Sequence, residues 1–145
     1  MKKSKRLQPV LHLAERNRKQ AEKALGQAQQ QLAAEQAKLQ QLNNYLLEYQ
    51  QSAKVQQSQG AQVDTLIRLQ HFMARLQQAV EQQGQQVELS RQMLFQARKL
   101  WQSAYGRHQA MGSLIDRNRQ LELREEEKQL QKTIDELTQN RREQF

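Results

Sequence analysis

Cysteine is absent from this 145-residue chain, proline occurs once, glycine five times, and aromatic residues make up only 5%. Each scarcity excludes something. Without cysteine there is no disulfide scaffold and no thiol nucleophile, and the chain suits a reducing compartment. One proline and five glycines leave few points at which a long element would break. A hydrophobic fraction of 37% with so few aromatics is too little apolar material for a thick globular core. No apolar run is long enough to span a membrane. The opening MKKSKRLQPVLHLAERNRK is basic, as a signal peptide is, but its apolar run is short and is interrupted by His12 before Glu15. The expectation is a cytoplasmic protein.

What is abundant is glutamine, with 31 residues, alongside Ala, Glu, Lys, Leu and Arg. That is the composition of long helices. A stripe runs from Leu7 to Ala53 in alternating steps of four and three, through Leu11, Ala14, Arg18, Ala21, Leu25, Ala28, Leu32, Glu35, Leu39, Leu42, Leu46 and Tyr49. Only Arg18 and Glu35 are not apolar. This spacing averages 3.5 residues, the period of a coiled-coil seam, and Gln-rich disorder would not keep it in phase. Helix 1 is expected over about residues 5–56, starting close to Pro9, which a first helical turn tolerates. The polar stretch around Gly60 reads as a turn over about 57–63, with Gly60 as C-cap and Asp64 as N-cap of a second helix.

Helix 2, over about 64–140, repeats the stripe from Leu66 through Met73, Leu76, Val80, Val87, Leu94, Trp101 and Met111 to Ile115, with Gln83, Ser90 and His108 as polar exceptions. So short a connection makes the helices antiparallel. With the turn centred near residue 61, facing positions have numbers summing to about 122. Leu39 then meets Gln83, Glu35 meets Val87, and Trp101 meets Ala21. Helix 1 runs out opposite Ile115, and a new phase follows at Leu123, Leu130, Ile134 and Leu137, with Glu125–Lys128 and Lys132–Glu136 as local pairs. The expected architecture is all-α: one elongated coiled-coil domain over residues 1–145, two long helices in an antiparallel hairpin, with helix 2 overhanging at its C-terminal end. At a rise of ~1.5 Å per residue the paired part would extend roughly 75 Å.

No catalytic constellation is present. His12, His71 and His108 lie far apart, and neither a metal-ligand spacing nor a Gly-rich phosphate loop occurs. The chain reads as a non-enzyme with no cofactor. His108 on the stripe reads as a packed histidine, and Glu125–Glu127 as a solvated helix face. Two features stand above this background. Tyr45 and Phe72 sit just before seam positions and fall beside each other in the expected register, with Ala79 near. With Leu42, Tyr49 and Leu76 they form a half-exposed apolar strip, the kind of anchor a partner protein buries. The second feature is charge. The chain carries a net +8, and residues 1–23 hold eight Lys or Arg against Glu15 and Glu22. A basic end attracts an acidic partner, but without interleaved aromatics it does not indicate specific nucleic-acid recognition.

Leu39, Leu42, Tyr45, Glu48 and Tyr49, then the polar turn with Gly60, then Phe72, Leu76 and Ala79, then Ala97, Arg98 and Trp101, together resemble the FliJ family of flagellar type III export proteins. The resemblance covers nearly the whole chain. It implies a cytoplasmic component of the export apparatus, peripheral to the inner membrane, serving flagellum biogenesis, motility and chemotaxis. It implies an antiparallel coiled coil similar to the central stalk of rotary ATPases. Such a protein would insert its terminal end into the hexameric export ATPase, bind the cytoplasmic domain of the export gate protein, and bind export chaperones. The family's gate-binding patch maps onto Leu42, Tyr45, Tyr49, Phe72, Leu76 and Ala79, with Lys38 and Gln83 flanking it. The ATPase-facing end maps onto Lys2, Lys3, Lys5, Arg6, Arg117, Arg119 and Arg124. A reading of another class is a homodimeric coiled-coil scaffold or chaperone adaptor unrelated to an ATPase, in which the stripes meet between chains.

Overall fold

The structure, a computed structural model, describes residues 2–144. Two helices, α1 (Lys3–Ser58) and α2 (Val63–Glu143), are joined by residues 59–62. They pack into an all-α helical hairpin, and the described residues contain no strand. Good helix formers dominate both segments. Glutamines add a ladder of bonds one turn apart, Gln31 to Glu35 (3.0 Å), Gln40 to Asn44 (3.1 Å) and Gln131 to Asp135 (3.0 Å), each of small individual value.

The turn is closed by backbone geometry. Gly60 adopts φ 75°, in the left-handed region where a Cβ is strained. The Ala61 N–H donates to the Gln56 carbonyl at 3.0 Å and the Gly60 N–H to that of Gln57 at 3.3 Å, which satisfies carbonyls at the end of α1. Asp64 is not the N-cap that the sequence suggests. The Leu66 N–H already donates to the Gln62 carbonyl at 3.2 Å. Asp64 lies inside the first turn of α2, where its charge faces the positive end of the helix.

The chain divides into two compact units, one formed by Glu22–Leu100 and one by Met1–Ala21 with Trp101–Phe145. In the turn unit, Glu22–Leu100, every position of the 4-3 stripe except Tyr49 is half-buried or buried, and Gln83, Val87 and Ser90 are its most buried members. A half-buried Leu in such a seam contributes on the order of 1 kcal/mol. Gln83 directs its amide at Glu35. Its Nε2 donates to the Glu35 carbonyl at 2.9 Å and to Glu35 Oε2 at 2.5 Å. The two polar exceptions of the stripes meet each other, one helical turn from the partners that apolar matching assigns them. The reason is energetic, since an amide buried against a leucine would lose its hydrogen bonds to water with nothing in return.

In the terminal unit, Ile115 is the most buried apolar side chain, at 2% exposure. The seam does not stop there. The 4-3 count continues through Asn118 to Glu122 and steps back from Leu7 to Ser4, which is 5% exposed. The Ser4 N–H donates to Glu122 Oε1 at 3.1 Å and its hydroxyl donates to Oε2 at 2.7 Å, while Lys2 pairs with Glu126. The first N–H groups of a helix have no intrahelical partner, and α1 has no acidic residue in its first turn. Glu122 supplies from α2 the cap that α1 lacks. This anchoring lets α1 begin well before Pro9, which stands inside the helix and not in its first turn. The missing N–H of Pro9 removes one backbone bond there.

Beyond Glu122 every described side chain is exposed, and Leu123, Leu130, Ile134 and Leu137 of the new phase find no cover. Neither Glu125–Lys128 nor Lys132–Glu136 closes among the described residues. Gln129 donates to Glu125 instead, at 3.3 Å. Trp101 packs tilted on Tyr105, centroids 5.4 Å apart, and its Nε1 is buried without a hydrogen-bond partner.

Candidate functional site

All six residues of the apolar strip lie in the turn unit. Leu42, Leu76 and Ala79 are half-buried at the seam edge, whereas Tyr45, Tyr49 and Phe72 are 43%, 37% and 40% exposed. The aromatic partnership differs from the one the register suggests. Phe72 packs on Tyr49, not Tyr45, with centroids 4.6 Å apart and planes tilted by 51°. Tyr45 stands one turn away on α1, its hydroxyl accepting a hydrogen bond from Gln41 Nε2 at 3.3 Å. A tilted pair of this kind contributes about 0.5–1.5 kcal/mol beyond its buried area. It also fixes both side chains, so a partner that covers them loses less rotamer freedom on binding. Of the flanking residues, Lys38 is exposed, but Gln83 is buried with its amide committed to Glu35 and is not free to meet a partner.

The seven basic candidates all lie in the terminal unit and all are exposed. Lys2, Lys5 and Arg119 line a groove of about 520 Å³ together with Ser4, Glu122 and Leu123. Arg117 and Arg124 are not part of that lining. The Lys2 ammonium is held above its usual 10.5 by its hydrogen bond to Glu126 and by that carboxylate's charge. The Glu122 carboxyl is held below its usual 4.5, first by the Ser4 hydroxyl, then by the Ser4 amide, with Lys2 and Arg119 adding to the effect. Lys3, Lys5, Arg6, Arg117 and Arg124 pair with no carboxylate among the described residues. The end therefore presents unpaired cations around an internally satisfied clasp.

Sequence reading missed Ser4, Glu122 and Glu126. One further step of the 4-3 count back from Leu7 would have reached Ser4, and two further steps from Ile115, through Asn118, would have reached Glu122. Among the described residues no group of His, Asp or Glu is placed to hold a metal ion, and no helix is long and apolar enough to cross a membrane.

The family model described as flagellar FliJ protein matches residues 2–144, and so takes in both the strip and the basic end. The chain belongs to the flagellar FliJ family. No curated protein and no solved structure matches it. Membership in the FliJ family makes the chain a component of the flagellar protein export apparatus, in a family that is non-enzymatic. For a FliJ-family chain the relevant chemistry is recognition. The two surfaces differ in kind, one aromatic and preformed, the other cationic.

Proposed function

We propose that this FliJ-family chain is a central-stalk-like coupling factor of flagellar export. Its terminal unit enters the hexameric export ATPase and promotes the assembly or activity of that ring. The strip Leu42, Tyr45, Tyr49, Phe72, Leu76 and Ala79 binds the cytoplasmic domain of the export gate, and export chaperones bind the chain as further partners. The work is done in the cytoplasm, peripherally at the inner membrane.

The observation that carries this reading is the Tyr49–Phe72 pair, two aromatic rings packed on each other yet left open to solvent. Exposed aromatics fixed in one arrangement are the usual anchors of a protein interface. Phe72→Ala should weaken binding of the gate's cytoplasmic domain about tenfold or more, with helical content unchanged. Wild-type affinity in the folded variant would remove the strip from the gate interface. The ATPase-facing role is supported by the cations that lack partners and by the uncovered helix beyond Glu122. Deleting residues 128–145 leaves the Ser4–Glu122 and Lys2–Glu126 contacts in place and should abolish stimulation of the ATPase. Full stimulation by the truncated chain would rule out a role for the overhang.

A further inference from the structure

On α2 the position preceding each first seam residue recurs every seven residues as Phe72, Ala79, Gln86, Met93 and Leu100. Phe72 and Ala79 belong to the strip already described. Met93 and Leu100 continue its row two heptads further along the same flank of the turn unit, with Leu89 beside them. In coiled coils such flanking side chains often lie back over the seam and shield it. These do not: Leu89 is 50% exposed, Met93 56% and Leu100 68%. Only Gln86 interrupts the apolar character of the row.

The rim of this flank is basic. Arg68 and Arg75 stand on it four residues before Phe72 and Ala79, and Lys38 stands on the matching flank of α1. None has a carboxylate partner among the described residues. Glu48 is the acidic residue on the same flank of α1, so cations outnumber carboxylates along the row.

A row repeating every seven residues stays in line only with another helix running beside it, because the 3.5-residue period is shared by helices wound on one another. A loop or a sheet edge would meet the row at one point and then diverge. From Phe72 to Leu100 the row spans roughly 42 Å at ~1.5 Å per residue.

We propose that the gate-binding strip extends to Leu100 and seats one amphipathic helix of the partner. The apolar face of that helix lies on Phe72, Ala79, Met93 and Leu100, and its acidic flank faces Arg68 and Arg75. The inference rests on the reading of the Tyr49–Phe72 strip as the gate-binding surface.

The test titrates the full-length chain with the gate's cytoplasmic domain, comparing Phe72→Ala, the double variant Met93→Ser/Leu100→Ser, and Arg68→Glu/Arg75→Glu. All the substituted positions are exposed, and circular dichroism checks that each variant stays helical. The serine pair should lower affinity about tenfold or more, as Phe72→Ala does, and charge reversal should lower it and flatten its salt dependence. Loss with Phe72→Ala but affinity within about twofold of wild type for the serine pair would overturn the extension while leaving the gate reading intact. No loss with either would remove the gate reading and the extension together. Loss with the serine pair alone would separate the two patches and overturn the single seat. An unaffected charge-reversal variant would overturn the acidic flank. A photo-reactive residue at position 86 or 100 should crosslink to one continuous helix of the gate domain, and crosslinks to unrelated segments would overturn the seat.

Discussion

Gln83 and Glu35 are the residues on which the register of the turn unit depends. Apolar matching alone tolerates a shift of one turn, because leucines and alanines recur on both sides of the seam. A buried amide whose two acceptors both belong to Glu35 does not tolerate it. Gln83→Ala leaves Glu35 Oε2 at the seam without its donor, with only Gln31 still bonded to Oε1, and should cost about 1–3 kcal/mol, measured as a shift in urea midpoint. The double variant Glu35→Leu/Gln83→Leu removes both partners and should be neutral or stabilising, at the expense of a single register. A double variant as unstable as Gln83→Ala would show that the pair matters for its own energy and not for its burial. At the other end, Glu122 makes the start of α1 sensitive to pH. Its folded carboxyl is held below 4.5, so its contribution is present above that value and is lost as pH falls through the lowered one. Lys2 acts in the opposite sense: its contribution is present below 10.5 and is lost as pH rises through the raised value. The Ser4 amide resonance should therefore shift in an acid transition below pH 4.5, and Glu122→Gln should abolish that transition. A Ser4 shift that persists in the variant would assign the titration to another group.

At the level of elements, the glycines separate the turn from the helices it joins. Gly60 at φ 75° has open space around the position of a Cβ, so only backbone strain opposes a side chain there. Gly60→Ala should cost about 1–2 kcal/mol. Gly26 and Gly84 lie within α1 and α2 and also have open space where a Cβ would stand. Alanine at either should stabilise by about 0.5–1 kcal/mol. Thermal midpoints of the three variants test the opposite signs, and a stabilising Gly60→Ala would contradict the left-handed cap. The helices and this turn were legible because period and punctuation are local properties of the sequence. The seam beyond Leu7 and Ile115 was not, because a count of apolar residues stops where the stripe turns polar at Ser4, Asn118 and Glu122. Phe72's partner escaped for a related reason. Register arithmetic sets which turns face each other, but Tyr45 and Tyr49 lie one turn apart, and side-chain packing alone decides which ring Phe72 meets. The residues of the strip were visible from their spacing, and the pairing within it was not.

For the whole molecule, both units are closed by contacts within one chain: Gln83 with Glu35 and Tyr49 with Phe72 in one, Ser4 with Glu122 in the other. A homodimer whose stripes met between chains would need the same polar residues satisfied across the interface, which the intrachain contacts make unnecessary. The protein should sediment at its monomer mass of 17.1 kDa at every concentration. The turn unit offers a sharper test, because Glu22–Leu100 is one continuous stretch that contains the turn, the polar pair and the aromatic pair. Its apolar seam is short, so its stability should depend on those few contacts more than that of the full chain does. A fragment of residues 22–100 should remain a monomer with helical circular dichroism per residue close to that of the full chain, a lower thermal midpoint, and a further fall with Gln83→Ala. A fragment that doubled its mass and lost helicity on dilution would mean that its stripes are completed by a second copy, and would transfer support to the scaffold reading.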